Sequence, residues 1–302
     1  MIDHIRSSLR ACFKGNRRLS TTTIDSLVKA VVSVALGLRV AHLIDVAHVT
    51  SDQINELIIL LRQDPQCQQL LVLQFKDRYT FLCHRHELER HVEATLNQPN
   101  QWVYVDIRGK QGPPIQRPCP EIFLFWLQNR LQPYLLSCQQ QQEEEKEKNP
   151  LYYSSVVPSY MVVLTGFLLE YPIMYMTHNE TDQVDQELDE WEMIPNCLGD
   201  RSLLLVRVWL HQPKAFWHDY MLLSYSCPSE KLIDFPEQDP TIKKKNSVTM
   251  ITPTKEVVIR NFETKFQTRF HQLEQTKKNG FFIKDTQLEI SHEYVTLDRV
   301  AL

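Results

Sequence analysis

Apolar residues recur along the chain with two periods, about 3.6 residues and 2 residues, which are typical of amphipathic helices and of strands. The helical period, together with capping residues, predicts helices over residues 23–36, 50–63, 86–98, 121–138 and 253–276, and another that ends at Leu169. Short apolar or alternating runs predict strands over 38–46, 70–75, 78–83, 101–107, 173–178, 202–210, 220–227 and 286–297.

The order of these elements predicts the fold class. Helices and strands alternate through most of the chain, whereas the last strands follow one another with one long helix between them. We therefore predict an α/β (mixed α+β) fold, with a predominantly buried sheet flanked by helices and an antiparallel C-terminal portion.

The most apolar stretch, MVVLTGFLLEYPIMYM, raises the question of a membrane span. It is only 16 residues long and contains Glu170 and Pro172. Because a span needs about 20 predominantly apolar residues, this segment is predicted to be a core element in which a helix ends before Pro172 and a strand follows.

Composition narrows the class of protein further. The net charge of −4 and the presence of only 7 glycines argue against phosphate-binding loops and against a basic nucleic-acid surface, so we predict no cofactor and no nucleic-acid or membrane partner. The 7 cysteines are scattered without a C-x-x-C pair, and no secretory signal is recognised. This pattern predicts buried, reduced thiols in a cytoplasmic or nuclear protein.

Charge also predicts the domain organisation. Residues 1–22 form a basic N-terminal segment, and 23–302 are predicted to be a single α/β unit with polar insertions at 139–150 and 180–192. The second insertion is strongly acidic. A solvated loop is its simplest interpretation, and a docking surface for a protein partner is the alternative.

Catalytic residues are unknown from the sequence, with three candidates. Asp45 and Asp106 lie where strands are predicted to end, a place where open α/β sheets carry acid, base or metal-binding carboxylates. Each could instead cap its own turn. Tyr175 is a further candidate, in a cleft between the two parts of the sheet.

A second cluster, CHRHELERH at 83–91, contains residue types that zinc prefers. A structural zinc site needs four ligands, usually as two pairs, and no second pair is present, so we predict no metal and interpret the cluster as a polar helix start. No motif for a nucleophilic Ser or Cys is found either.

Three segments together carry a family resemblance: GLRVAHLIDVAHVTSDQINELI, GFLLEYPIMY and NCLGDRSLLLVRVWL. They resemble an uncharacterised animal protein family of the human chromosome 1 open reading frame 74 type. The resemblance implies one intracellular α/β unit and supplies no catalytic residues. Two functional hypotheses follow: binding of a protein or small molecule, or an enzyme (hydrolase-like) using Asp45 in a cleft.

Overall fold

The computed structural model describes residues 1–14, 19–108, 114–139, 150–177, 196–213, 216–229, 254–275 and 285–298. The acidic insertion 180–192 and most of the insertion 139–150 lie outside these residues. So do Lys110 and Lys243–Lys245, the residues that a nucleic-acid-binding protein would need on one face.

The helices follow the predicted order. They are α1 (Ile2–Cys12), α2 (Thr21–Ala35), α3 (Ser51–Arg62), α4 (Arg85–Asn97), α5 (Glu121–Trp126), α6 (Gln132–Gln139), α7 (Met161–Leu168) and α8 (Lys255–Glu274), with short 3-10 turns at Pro65–Cys67 and Pro99–Gln101. None of the helices described is long and apolar enough to cross a membrane.

The strands form three sheets. They are β1 (Ala41–Leu43), β2 (Leu70–Phe75), β3 (Tyr79–His84), β4 (Val103–Asp106), β5 (Ile115–Arg117), β6 (Leu151–Ser154), β7 (Ile173–Met176), β8 (Arg201–His211), β9 (Tyr220–Pro228) and β10 (Gln287–Leu297). The first sheet has the order β1-β3-β2-β6, the second β5-β4-β7, and the C-terminal sheet β10-β8-β9. Pairing is antiparallel except for β2 with β6 and β4 with β7.

The predicted fold class is confirmed, including the antiparallel C-terminal sheet. Strand β2 explains why the first sheet is buried: Leu70 and Val72 face one hydrophobic cluster, and Leu71 and Leu73 face another. Since alternate residues of a strand point to opposite sides, the sheet lies between two apolar layers and its strands lose the polar face that an exposed sheet keeps.

Strands β5 and β6 were not among the predicted strands, and two further features were not predicted. Helix α1 occupies part of the basic N-terminal segment, and its Ile5 and Leu9 are buried in the first cluster. The predicted helix 121–138 contains a π-helical turn at Leu127–Leu131, which ends two residues before Pro133. A proline ring clashes with the carbonyl four residues earlier in a regular α-helix, and the wider turn avoids that clash.

The sequence GFLLEYP ends helix α7 with a Schellman motif. The N–H of Tyr171 donates to the carbonyl of Gly166 (2.9 Å) and that of Glu170 to the carbonyl of Phe167 (2.9 Å). The left-handed position of this motif usually holds glycine, but here it holds Glu170, with φ 64°. A glutamate in that conformation costs about 1 kcal/mol, so its side chain must supply a compensating interaction.

Candidate functional site

A concave cavity of about 390 Å³ lies between the C-terminal sheet and the start of helix α8. Its floor is apolar and includes Ile173, Leu204 and Val258, all buried. Its rim is polar, with Ser202, Ser229, Lys255, Glu256 and Tyr294. The cavity therefore combines an apolar interior with a charged and hydroxyl-bearing mouth.

The local sequence explains how this cavity forms. Strand β8 alternates, so that Leu204, Val206, Val208 and Leu210 all point into the core. Helix α8 presents a buried stripe of Val258, Phe262, Phe266 and Phe270 at helical spacing. Thr254 starts the helix by accepting a hydrogen bond on its hydroxyl from the N–H of Val257 (3.4 Å), which fixes the first turn at the mouth of the cavity.

The charges at the mouth are arranged around the first turn of α8. The Lys255 ammonium lies 5.5 Å from the centre of the Tyr294 ring, within the range of a cation–π contact. Hydrogen bonds from its own N–H and from Thr254 lower the pKa of Glu256. Chemically, this mouth offers a cation, hydroxyl groups, a carboxylate and an aromatic ring to a bound molecule.

Asp45, the first sequence candidate, is exposed and follows β1. It lies near the Tyr171 hydroxyl: burial raises the pKa of that tyrosine, Arg39 lowers it in part, and the charge of Asp45 raises it further.

Asp106, the second candidate, is held by arginines. Its carboxylate accepts hydrogen bonds from the N–H of Arg108 (3.1 Å) and from Nε of the same residue (2.8 Å), and Arg117 lies 3.7 Å away. Burial acts to raise the pKa of Asp106, but the bonds from Arg108 and the charge of Arg117 lower it below its ordinary value. This arrangement matches the turn-capping interpretation.

The third candidate, Tyr175, takes part in a group of hydrogen bonds that join β7 and the residues just before it to β9. The Tyr175 hydroxyl donates to the carbonyl of Ser226 (2.8 Å) and the Tyr171 hydroxyl to that of Ser224 (3.4 Å). In the opposite direction, the Tyr225 hydroxyl donates to the carbonyl of Ile173 (3.0 Å). We call these three side chains the tyrosine seam.

The structure does not bring Asp106 and Tyr175 together. In the register of β4 with β7, Asp106 is opposite Met176 and Val105 is opposite Tyr175. Successive side chains of a strand point to opposite faces, so the carboxylate and the phenol lie on different sides of the second sheet.

A buried ion cluster was missed by the sequence analysis. Glu170, whose exposed fraction is 3%, accepts two hydrogen bonds from Arg269, at 2.9 Å and 2.8 Å. Lys265 lies 3.0 Å from the same carboxylate, and the N–H of Val40 donates to it at 3.0 Å. Glu87 completes the cluster at 3.3 Å from Arg269.

The cluster explains the strained position of Glu170. Burial by itself raises the pKa of this carboxyl group, but Arg269 and Lys265 hold it well below its ordinary value, so it is ionised. The carboxylate joins α8 to the end of α7 and to the segment before β1. A signal was present in the sequence, since an acidic residue stood in an otherwise apolar stretch, but its partners are about 100 residues away along the chain.

The 83–91 segment is a helix start. The His84 ring accepts a hydrogen bond from the N–H of Glu87 (3.3 Å) at the beginning of α4, and Cys83 is buried in the second cluster. Within the described ranges, no group of three or more His, Cys, Asp or Glu residues is arranged to hold a metal ion.

The cysteines are buried, as predicted, except Cys138, which is partly exposed. Cys197, which precedes β8, has a thiol whose pKa is raised by burial, partly offset by Arg201. A raised pKa disfavours the reactive thiolate.

The described residues form a mixed α+β fold with three sheets, and the cavity lies beside the C-terminal sheet. A family model described as a domain of unknown function (DUF4504) matches residues 10–302, so the chain belongs to that family. No curated protein and no solved structure matches the chain.

Proposed function

We propose that this protein binds a small amphipathic molecule, one with an apolar body and an anionic group, in the cavity beside helix α8. The observation that carries the proposal is the combination, in one concavity, of the apolar floor with the polar rim around Lys255. Pockets for small ligands are mostly apolar and use a few polar groups to orient the ligand.

Three properties of the mouth favour an anionic group. The Lys255 ammonium supplies a positive charge, and the N-terminal end of α8, a helix of 20 residues, adds the positive end of the helix dipole. The hydroxyls of Ser202 and Ser229 are donors at the same rim. The Glu256 carboxylate opposes a second negative charge, so a ligand with a single anionic group fits best.

The volume supports a ligand of limited size. A cavity of about 390 Å³ lies at the lower end of the range, about 300–1,000 Å³, that small-molecule sites occupy. The Tyr294 ring at the rim offers a face for an aromatic or apolar body.

The alternative, an enzyme using Asp45, has less support. Asp45 is exposed, Asp106 forms ion pairs with two arginines, and the Tyr175 hydroxyl donates its hydrogen bond to a backbone carbonyl. These groups do not line the cavity. An active site needs its acid, base and nucleophile within hydrogen-bond reach of one reacting atom.

The proposal also covers the cellular compartment, the family and a protein partner. We propose that the protein acts in the cytoplasm or nucleus, since its scattered cysteines suit a reducing compartment. We also propose that its family is the one of the human chromosome 1 open reading frame 74 type, and that the acidic stretch 180–192 is its contact with a protein partner.

The ligand proposal is tested with 8-anilinonaphthalene-1-sulfonate, a fluorescent probe with an aromatic body and one sulfonate. We expect saturable binding of one probe per chain. Ser202→Trp places a large side chain at an exposed rim position and should abolish the fluorescence increase. Lys255→Ala should weaken binding about 2- to 5-fold, the effect of losing one partly exposed charge contact.

Arg260→Ala is the matched control. Arg260 lies on an exposed face of the same helix, five residues from Lys255, and does not line the cavity. Its loss should leave probe binding unchanged, whereas a probe attracted only to surface cations would respond equally to both variants. Unchanged binding in Ser202→Trp, with the fold intact by circular dichroism, would refute the proposal.

A further inference from the structure

Strand β10 forms one edge of the C-terminal sheet. All 11 of its residues, Gln287–Leu297, pair with β8 on one side. On its other side, none of the strands described pairs with it. Such an edge presents a row of N–H and C=O groups that can bond to another strand.

The two edges of this sheet differ. At the opposite edge, the carbonyls of β9 already accept hydrogen bonds from the tyrosine seam. Strand β10 contains no proline or glycine, and its register with β8 runs without a bulge from Gln287 to Leu297. Prolines and bulges are common devices that prevent edge pairing, and β10 has neither.

The sequence of β10 is suited to pairing with itself. Two copies related by a twofold axis perpendicular to the sheet pair antiparallel, and opposite side chains must point to the same face. The pairing that uses the full strand sets Gln287 opposite Leu297, because these are its two ends, and therefore sets His292 opposite His292 of the second copy.

Charge favours the same register. With the axis at His292, Glu289 is opposite Val295 of the second copy and Glu293 is opposite Ser291. Shifting the axis by one residue toward the N-terminus sets Glu289 opposite Glu293, and shifting it one residue the other way sets Glu293 opposite itself. Like charges directly opposite each other destabilise a strand pair, so the full-length register avoids the carboxylate pairs that both adjacent registers contain.

We propose that two copies of this chain associate through β10, which makes a six-stranded sheet with His292 at its centre. On the face that carries the cavity, Tyr294 then has Ile290 of the second copy opposite it, an aromatic and β-branched pair that favours strand pairing. Ile290 of each copy also becomes a neighbour of the other copy's cavity rim. The association requires no ligand and stands independently of the proposed function.

The strength of the association follows from its extent. The strand is about 37 Å long, at about 3.4 Å per residue. A pairing of single strands falls below about 1,200 Å² of buried surface, the size typical of weak complexes. We therefore expect a dimer that forms at micromolar concentrations and dissociates on dilution.

The first test is sedimentation velocity of the full chain over a range of micromolar concentrations without probe. We expect a monomer–dimer equilibrium in the wild type. His292→Glu sets two carboxylates opposite each other and should raise the dissociation constant at least about tenfold. His271→Glu, an exposed change of the same kind on α8, is the matched control and should have no effect.

The second test identifies the register. His292→Cys brings two thiols opposite each other and should form a disulfide-linked dimer on mild oxidation. Thr296→Cys, on the same face of the same strand, is opposite Leu288 of the second copy and should not cross-link. Equal cross-linking of both variants, or a dimer insensitive to His292→Glu, would overturn the proposed pairing.

A chain that stays monomeric at every concentration would also overturn the proposal. In that case hydrogen exchange distinguishes two reasons. Protected outer-edge amides in β10 would mean that another segment of the same chain covers the strand, and rapidly exchanging amides would mean that the edge stays open to solvent.

Discussion

Replacement of Glu170 by glycine changes two contributions to the free energy of unfolding in opposite directions, the backbone conformation at this position and the buried ion pairs. Glu170 occupies the left-handed position of the motif that ends α7, with φ 64°, where glycine fits without strain. On backbone grounds alone, Glu170→Gly should stabilise the protein by about 1 kcal/mol. On electrostatic grounds it should destabilise the protein, because Arg269 and Lys265 lose the carboxylate that they share.

The structure decides which effect is larger. Removing one partner of a buried ion pair costs about 3–5 kcal/mol. The side chains of Arg269 and Lys265 keep 14% and 24% of their exposure, so water can partly replace the carboxylate and the lower value of about 3 kcal/mol applies. After the backbone gain, Glu170→Gly should lower the free energy of unfolding by about 2 kcal/mol.

The assay is urea denaturation at pH 7, followed by tryptophan fluorescence and circular dichroism. Asp200→Gly is the control, because Asp200 is exposed and has a left-handed φ of 56°. This variant should be neutral or slightly more stable than the wild type. A Glu170→Gly variant as stable as the wild type would show that the ion cluster contributes nothing net and would refute the reasoning.

The pH dependence of this difference is a second measurement of the same effect. Arg269 and Lys265 hold the pKa of Glu170 in the folded state well below its ordinary value of 4.5, although burial opposes them. The stabilisation is therefore fully present above pH 4.5 and is lost as the pH falls through the folded-state pKa. The difference between wild type and Glu170→Gly should shrink below pH 4.5.

Three further predictions concern other parts of the fold. Burial lowers the pKa of His91 from 6.5 to about 4, so below pH 6.5 the unfolded chain binds a proton that the folded chain does not. The free energy of unfolding should therefore fall as the pH drops below 6.5, by up to about 1.4 kcal/mol per pH unit from this residue. Urea denaturation of wild type and His91→Gln between pH 7 and 5 measures this contribution, and an equal pH dependence of the two proteins would contradict it. Under native conditions a thiol reagent such as Ellman's should modify Cys138 first and the buried thiols only on unfolding, and mass spectrometry of the labelled peptides checks the order. Gly199→Ala should lower the melting temperature, because its new methyl group would lie 2.8 Å from the carbonyl oxygen of Asp298, a backbone atom that cannot move aside cheaply; an unchanged melting temperature would contradict the contact.

Local patterns predicted much of the fold because the interactions behind them are short-range. Helix α3 was predicted over residues 50–63, and in the structure Thr50 and Gln53 form a reciprocal capping box at its start. The predicted strands 70–75 and 78–83 leave Lys76 and Asp77 between them, and both residues have positive φ angles in the turn between β2 and β3. The alternation of side chains in a strand and the capping of a helix depend on residues only a few positions apart, so patterns in a single sequence can predict them.

The candidate site depends on contacts that the sequence could not place. Glu170 was used to exclude a membrane span, but nothing near it indicated Arg269 as its partner. The cavity combines Ile173 with residues of β8, β9, β10 and α8, which meet only after the sheets have packed. Asp45 and Asp106 were chosen because strands end near them, and that rule cannot distinguish a carboxylate held by neighbouring arginines from one available for chemistry.

The tyrosine seam joins two sheets beside the floor of the cavity. The second and third sheets meet there through side-chain hydroxyls, and the pairing pattern has no main-chain ladder between β7 and β9. Side-chain bonds can break one at a time, whereas a ladder must open cooperatively along its length. Ile173 and Cys227, on the two sides of this junction, both line the cavity. Small separations of β7 from β9 would therefore widen the floor without unfolding either sheet.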